Sequence, residues 1–509
     1  MSPDVIIIGS GIGGLTAGAL LARYGKRVLI CESHSIPGGA AHSFSRQGFQ
    51  FDSGPSFFCG LGNQGDSINP LKQVLDVLGE SVEAIPYDFV GHYHFPEGTF
   101  PASVNSQKYR QAVAQITPQG AKELENFEKR LLSLYDCLKE IPTIILRADW
   151  QILPILLWHY LPSLLKMLPQ LPLIGGSVGK ILDEEVRDPW VRRLIEIECF
   201  LLSGLKAEET PSAEVAIVFG ERTHAGVEYP IGGSGAIVNA LVRGFKRWGG
   251  ELRLGTHVEQ ILVKSNAVKG IRLRNGETIN APIVISNASI WDTYKQLLQT
   301  NDLPLEYRTK SLNTPRIDSF MHLHLGIRAE GLKNLTGHHV VLHDANQAIN
   351  TPGNTCMISI PSVWDNHLAP EGHHVIHAYT LEPYEGWQRN DEYEEKKKLR
   401  SRPLYLALEK IIPDIRARTI MELIGTPLTH SYFLRRYQGT YGPAIAVGKG
   451  TFPNCYTPIS GLYRVGDSTL PGIGVPAVAI SGIFCANSLV SSEQVWSVYQ
   501  SQFIKNQTS

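Results

Sequence analysis

Glycines at positions 9, 11 and 14, followed eighteen residues later by Glu32, have the spacing of a dinucleotide grip. Gly9 permits a tight turn and Gly11 lets the backbone approach a pyrophosphate. Gly14 allows a helix to touch a strand, and the acid is placed for ribose hydroxyls. A carboxylate there disfavours a 2′-phosphate, which argues against NADP.

Histidines are the other groups that could do chemistry. Met321-His322-Leu323-His324, His338-His339, His343, His373-His374 and His377 cluster in one stretch. Strand alternation puts His322 and His324 on one face and Met321, Leu323 and Leu325 on the other. Two same-face imidazoles could ligate a metal, but no carboxylate or cysteine pattern completes a set, so no metal is expected and the histidines read as cavity-lining or hydrogen-bonded. No Ser-His-Asp arrangement, P-loop or nucleophile elbow is visible.

These residues need elements to position them. Residues 5–8 form a wholly apolar, β-branched run, as in a strand buried on both faces of a parallel sheet. Small and apolar residues at helical spacing fill 14–24, Gly25 stands at the helix stop, and 27–31 reads as the next strand. The fold class is therefore α/β with a Rossmann-type dinucleotide domain. Nucleotide-domain pieces at 1–75, 224–295 and 415–495 alternate with a largely helical insertion at 76–223 and a mixed one at 296–414; together the insertions would form an α+β substrate domain. In the second piece Asn275-Gly276 signals a two-residue hairpin. The run EYEEKKKLRSR at 392–402 reads as a solvated helix with i,i+4 ion pairs.

Composition excludes several classes. The chain has 509 residues, 43% hydrophobic and 19% charged, enough for two or three domains with ordinary cores. Its net charge of −1 offers no footprint for nucleic acid, and none is expected as a partner. Seven cysteines lack a CxxC pair and read as reduced thiols of a cytosol-facing protein. With the glycine motif starting at residue 4, no signal peptide is expected and the chain reads as not secreted.

Longer motifs identify a family. PGGAAHSFSRQGFQFDSGPS at 37–56 resembles the twin-glycine extension of FAD-dependent amine oxidases and phytoene desaturases. GLYRVGDSTLPGIGVPAVAISGIFCANSLV at 461–490 resembles their C-terminal flavin-binding motif. Three internal stretches are most similar to the carotenoid isomerases: CFLLSGLKAEETPSAEVAIVFGERTHAGVEYPIGGSGAIVNAL, MHLHLGI and GTPLTHSYFLRRYQGTYGPA. These enzymes act on poly-cis lycopene. The resemblance spans nearly the whole chain. It implies FAD, with Gly9, Gly11 and Gly14 on the pyrophosphate, Glu32 on the adenosine ribose, Gly38 and Gly39 extending the phosphate contacts, and the backbone of Val258 at the adenine. It further implies Gly466 and Asp467 at the ribityl-pyrophosphate region, with Pro471 through Gly474 and Val475 under the flavin ring. Asp467 follows an expected strand at 462–465 and precedes a helix start, whose amides can stabilise a reduced flavin.

The implied reaction is cis-trans isomerisation of a C40 carotenoid, with reduced FAD acting without net turnover of electrons. Asp52, His430 and Tyr441 are the candidate catalytic groups, with Arg435 and Arg436 beside them. Each has a structural alternative: Asp52 could cap a turn, and the arginines could bind flavin phosphates or carboxylates. Rival functions are a carotene desaturase or retinol or carotenoid saturase transferring hydride, and a non-catalytic pigment carrier.

Finally, ILPILLWHYLPSLLKMLPQLPLI at 152–174 is apolar with Lys166 its one firmly charged group. Pro154, Pro162, Pro169 and Pro172 argue against a span, because freed carbonyls would lack partners in lipid. An interfacial patch suits it better, with Trp158, His159, Tyr160 and Lys166 at headgroup level. The expectation is a peripheral, monotopic protein on the cytoplasmic side of a membrane. A packed helical lid is the alternative.

Overall fold

The computed structural model describes residues 2–61 and 67–504. Its organising element is a five-stranded parallel sheet in the order Glu251–Arg253, Val28–Cys31, Val5–Ile8, Ile283–Ser286, Leu462–Arg464. Alternation along the central strand explains its two covered faces. Val5 and Ile7 pack under helices Ile12–Arg23, Ser234–Arg247 and Val475–Ser488, whereas Ile6 and Ile8 pack against an antiparallel meander, Val258–Lys264, Ala267–Leu273 and Thr278–Asn280. The meander turns at Asn275-Gly276, where Gly276 adopts φ +89°.

A second sheet has seven strands in the order Thr419–Gly425, Ser319–Arg328, His373–Glu382, Thr355–Ser359, His338–Leu342, Phe89–Phe95, Gly98–Ser103. Helices Pro118–Leu138, Pro189–Ser203 and Ser212–His224 close one end of it over Tyr93, Phe95 and Phe100. All five strands of the parallel sheet lie within the three stretches read as nucleotide-binding. One boundary differs: Thr419–Gly425, placed with the third nucleotide piece, pairs antiparallel with Ser319–Arg328, Leu323 opposite Ile424. The segment follows the hydrogen bonds its edge can make, not its nearness in sequence to the second glycine cluster.

The charged run at 392–402 also differs from expectation. It begins helix Tyr393–Ile411, but the partly exposed Arg400 reaches buried Glu382, its Nε donating to both carboxylate oxygens at 2.9 Å, so the helix is pinned to the sheet. All seven cysteines are free, six of them buried.

Candidate functional site

A cavity of about 510 Å³ lies where the two sheets meet. The amino ends of helices Ile12–Arg23 and Val475–Ser488 open onto it through Gly11, Gly13, Gly474 and Val475. Helix amino ends present unpaired amides and positive partial charge, which suits a pyrophosphate. Glu32, at the carboxyl end of its strand, accepts hydrogen bonds from Ser10 N (2.8 Å), Ser10 Oγ (2.7 Å) and His34 N (2.8 Å). A carboxylate has about four acceptor positions, and the fourth is held only by the long 3.3 Å contact from Ser33 Oγ, which a ribose hydroxyl can replace.

The glycine spacing has a measurable reason. A Cβ on Gly14 would stand 2.4 Å from the Gly9 carbonyl oxygen, and one on Gly11 would stand 2.6 Å from Asn287 Nδ2. Gly14 itself sits behind the cavity wall as the helix–strand contact. Gly9, Gly38, Gly39, Val258, Gly466 and Asp467 all line the cavity. The cradle fits a dinucleotide flavin: it is narrowed to bare backbone where phosphates would lie and carries an acid where a ribose would.

Asn287 escaped the sequence reading. It ends strand Ile283–Ser286, its N–H donates to the Ile8 carbonyl at 2.9 Å, and its side chain stands between the two glycine clusters. A Cβ on Gly466 would come within 2.8 Å of Asn287 Oδ1. The available signal was a polar residue at the carboxyl end of a parallel strand beside the glycine loop, where such sheets bind ligands.

The other half of the cavity is aromatic and imidazole. Phe320, His322, His377, Tyr379, His430, Phe433 and Tyr441 line it. Tyr441 meets Phe320 edge-on at 5.3 Å, and His430 Nδ1 lies 2.9 Å from the Gly439 carbonyl. Arg436 forms an ion pair with Asp467, and its Nε and Nη2 donate to the carbonyls of Thr440 (2.9 Å) and Tyr441 (2.8 Å). A guanidinium is thus fixed on the cavity wall. Arg435, also on the wall, sits in the left-handed region at φ +50° with its guanidinium over Tyr432.

Asp52 is elsewhere. Its carboxylate accepts from Ser43 Oγ (2.7 Å), Tyr229 OH (2.8 Å), Ser234 N (2.9 Å) and Ser234 Oγ (2.9 Å). It closes the amino end of helix Ser234–Arg247 and does not line the cavity, although Ser53, Gly54 and Pro55 directly after it do. The reading of Asp52 as a catalytic group is corrected to a structural one, because its carboxylate is taken up by Ser43, Tyr229 and Ser234 away from the cavity.

The structure supplies a third imidazole to the pair expected on one strand face. His377, opposite His324 on the neighbouring strand, brings its Nε2 within 2.9 Å of His322 Nδ1. One ring nitrogen from each of His322, His324 and His377 lies within 4.8 Å of the other two, close enough to consider a metal. Distance decides against it. His322 Nδ1 and His377 Nε2 are 2.9 Å apart, a hydrogen-bond separation shorter than the ~3.3 Å between two nitrogens on a tetrahedral zinc. The arrangement is a hydrogen-bonded stack.

Burial holds these rings neutral. His322 and His377 titrate well below the ordinary histidine value, and burial lowers His324 and His430 to about 4. An unfolded imidazole binds its proton near 6.5 and the folded ones only near 4, so their contribution is complete above 6.5 and disappears as pH falls to about 4. His324 and His430 each withdraw up to ~3 kcal/mol over that range. Asp52, raised by burial, acts in the opposite sense. Melting temperature should fall steadily from neutral pH to about 4.5, and His430→Asn should make that dependence shallower. An unchanged slope would mean that His430 is not buried neutral.

Comparison with known proteins agrees with this geometry. Residues 7–75 match the family model for an NAD(P)-binding Rossmann-like domain. The chloroplastic prolycopene isomerase of Daucus carota is 34% identical over 499 residues, covering 96% of this chain and 80% of its own. The neurosporene-forming phytoene desaturase of Rhodobacter capsulatus is 26% identical, covering 95% and 93%. Among solved structures, an oxidoreductase from Methanosarcina mazei superposes with a TM-score of 0.61 at 20% identity, over 94% of this chain and 98% of that one. The fold is that of the flavin-type oxidoreductases, and a flavin is the cofactor that fold and family indicate. With a third of its residues shared along nearly its whole length, the chain belongs to the prolycopene isomerase family.

Proposed function

We propose that the protein converts poly-cis lycopene to the all-trans form at the junction of the dinucleotide cradle with the aromatic cavity, using reduced FAD without net redox change. One observation carries the reading: a single cavity joins two glycine clusters to a wall of uncharged rings, Phe320, Tyr379, Tyr441 and neutral histidines. Such a wall accepts a hydrocarbon and excludes water. When bound, reduced FAD supplies electron density that lowers the double-bond character of the polyene, and each ~1.4 kcal/mol removed from the barrier is tenfold in rate.

The chain's own groups do the remaining work. With FAD bound, amides at the start of helix Val475–Ser488 would offer partial positive charge to a reduced ring, and Arg436, held by Asp467, would fix the wall beside it. Neutral imidazoles offer polarity without a proton to add to the polyene. Tyr441, raised by burial, keeps its hydroxyl protonated.

Substrate access in this proposal is from a membrane surface on the cytoplasmic side. Among the described residues no single helix is long and apolar enough to cross a bilayer, but Ile152–His159 and Leu161–Ile174 form a pair bent by 94°. Within it Leu157, Leu165, Leu168 and Leu171 are more than half exposed and Trp158 is 86% exposed, whereas a packed lid would bury them. An unpartnered apolar face of this kind suits an interfacial helix pair.

The test is an anaerobic assay of photoreduced protein with lipid-dispersed poly-cis lycopene, read by chromatography with mass detection. An all-trans product of unchanged mass, formed only with reduced flavin, is expected. A lighter product would move the assignment to a desaturase, a heavier one to a saturase, and pigment bound without a product to a carrier.

A further inference from the structure

Tyr379 is the wall between two cavities. One face borders the site just described; the other borders a second cavity of about 110 Å³, lined by Leu201, Leu202, Val218, Met357 and Ile358 among others. The first cavity has the volume of a site for one drug-sized ligand, roughly 300–1,000 Å³. It cannot enclose both a dinucleotide and the full length of a C40 chain, so part of the polyene needs further room. The second cavity adjoins the first across the Tyr379 side chain.

Its floor is not hydrocarbon-like. Glu198 and Arg222, 5% and 4% exposed, form an ion pair at 3.3 Å inside the apolar lining. Glu198 Oε1 also accepts from Tyr109 OH at 2.9 Å. Glu198 Oε2 and Arg222 Nε lack a hydrogen-bond partner within 3.5 Å, and the Tyr93 hydroxyl stands beside the carboxylate as a further donor. Buried polar atoms left unpaired destabilise the fold, so a ligand that pairs them is favoured. A hydroxyl can donate to Oε2 and accept from Nε, and a carbonyl can accept from Nε; a plain hydrocarbon end does neither.

We infer that the cavity behind Tyr379 is a distal subsite that receives the far end of the polyene and prefers an end bearing a hydroxyl or carbonyl oxygen over plain hydrocarbon. The inference rests on the polyene reading of the main cavity. It makes Glu198 and Arg222 specificity-determining groups, with Leu202 shaping the space around them.

Binding of two poly-cis C40 carotenoids of one skeleton, with and without a terminal hydroxyl, to the flavin-loaded full-length protein tests this through the shift of the polyene absorption. The hydroxylated compound should bind about tenfold more tightly, the effect of hydrogen bonds to a charged group. Glu198→Gln should bring the ratio towards one, as should the charge-balanced pair Glu198→Gln with Arg222→Gln should the single change fail to fold. Leu202→Trp, which fills the cavity, should weaken binding of both. Equal affinities in the unaltered protein, or full affinity for both in Leu202→Trp, would mean that the cavity holds only water and would overturn the inference. Preferential binding without isomerisation of either compound would leave the subsite standing and remove the proposed reaction instead.

Discussion

Gly14→Val protein will purify without flavin bands and will not regain them on addition of FAD. The added Cβ starts 2.4 Å from the Gly9 carbonyl oxygen and 3.1 Å from Asn287 Cβ. Overpacking costs ~1–3 kcal/mol where neighbours can give way. Here the nearest neighbour is backbone of the loop that must touch the phosphates, so relief comes only by lifting helix Ile12–Arg23 away from the loop. Displacing the loop should weaken FAD by at least about a hundredfold, each ~1.4 kcal/mol being tenfold. Far-ultraviolet circular dichroism separates this from global unfolding. Gly25→Ala is the control: its Cβ would meet nothing, and its φ of +84° strains the turn without touching the cradle. Flavin retained at full stoichiometry in Gly14→Val would remove the amino-terminal motif from the binding site.

The second large effect concerns the bent helix pair. Leu157→Glu together with Trp158→Glu should abolish co-sedimentation with anionic vesicles. Each apolar side chain buried in lipid contributes ~1.5–3 kcal/mol, so losing two predicts a drop of at least about a hundredfold in partitioning. Both side chains already face solvent, at 56% and 86% exposure, so the melting temperature and flavin content should not change. A packed lid predicts the reverse, with lower stability and unaltered sedimentation. His159 and Lys166 are unsuitable for this test: His159 stacks on Trp496 at 4.1 Å and Lys166 pairs with Glu140 at 3.1 Å.

What was legible in the sequence is what depends on neighbours along the chain. The strand–glycine–helix–strand–acid order at 5–32 is local, and the alternation that put His322 and His324 on one face is local too. What pairs across distance was not legible. Nothing in FDSGPS marks which face of its strand Asp52 takes; that depends on Tyr229 and Ser234. His377 joins His322 from 55 residues away. The strand Thr419–Gly425 chose its sheet by an edge offered at 319–328. Asn287 was overlooked because a single asparagine has no pattern until the sheet order places it between two glycine clusters.

The parallel sheet draws its strands from residues 5–8, 28–31, 251–253, 283–286 and 462–464, and helix Val475–Ser488 lays Gly482 against Thr16. During synthesis on the ribosome the first two strands therefore wait, both outer edges bare, until residues 251–253 and 283–286 have been made. Bare strand edges invite pairing with other chains, and contacts this distant in sequence form slowly. The protein's cofactor can be gripped from both sides only after helix Val475–Ser488 has emerged, which makes flavin capture a late event of maturation.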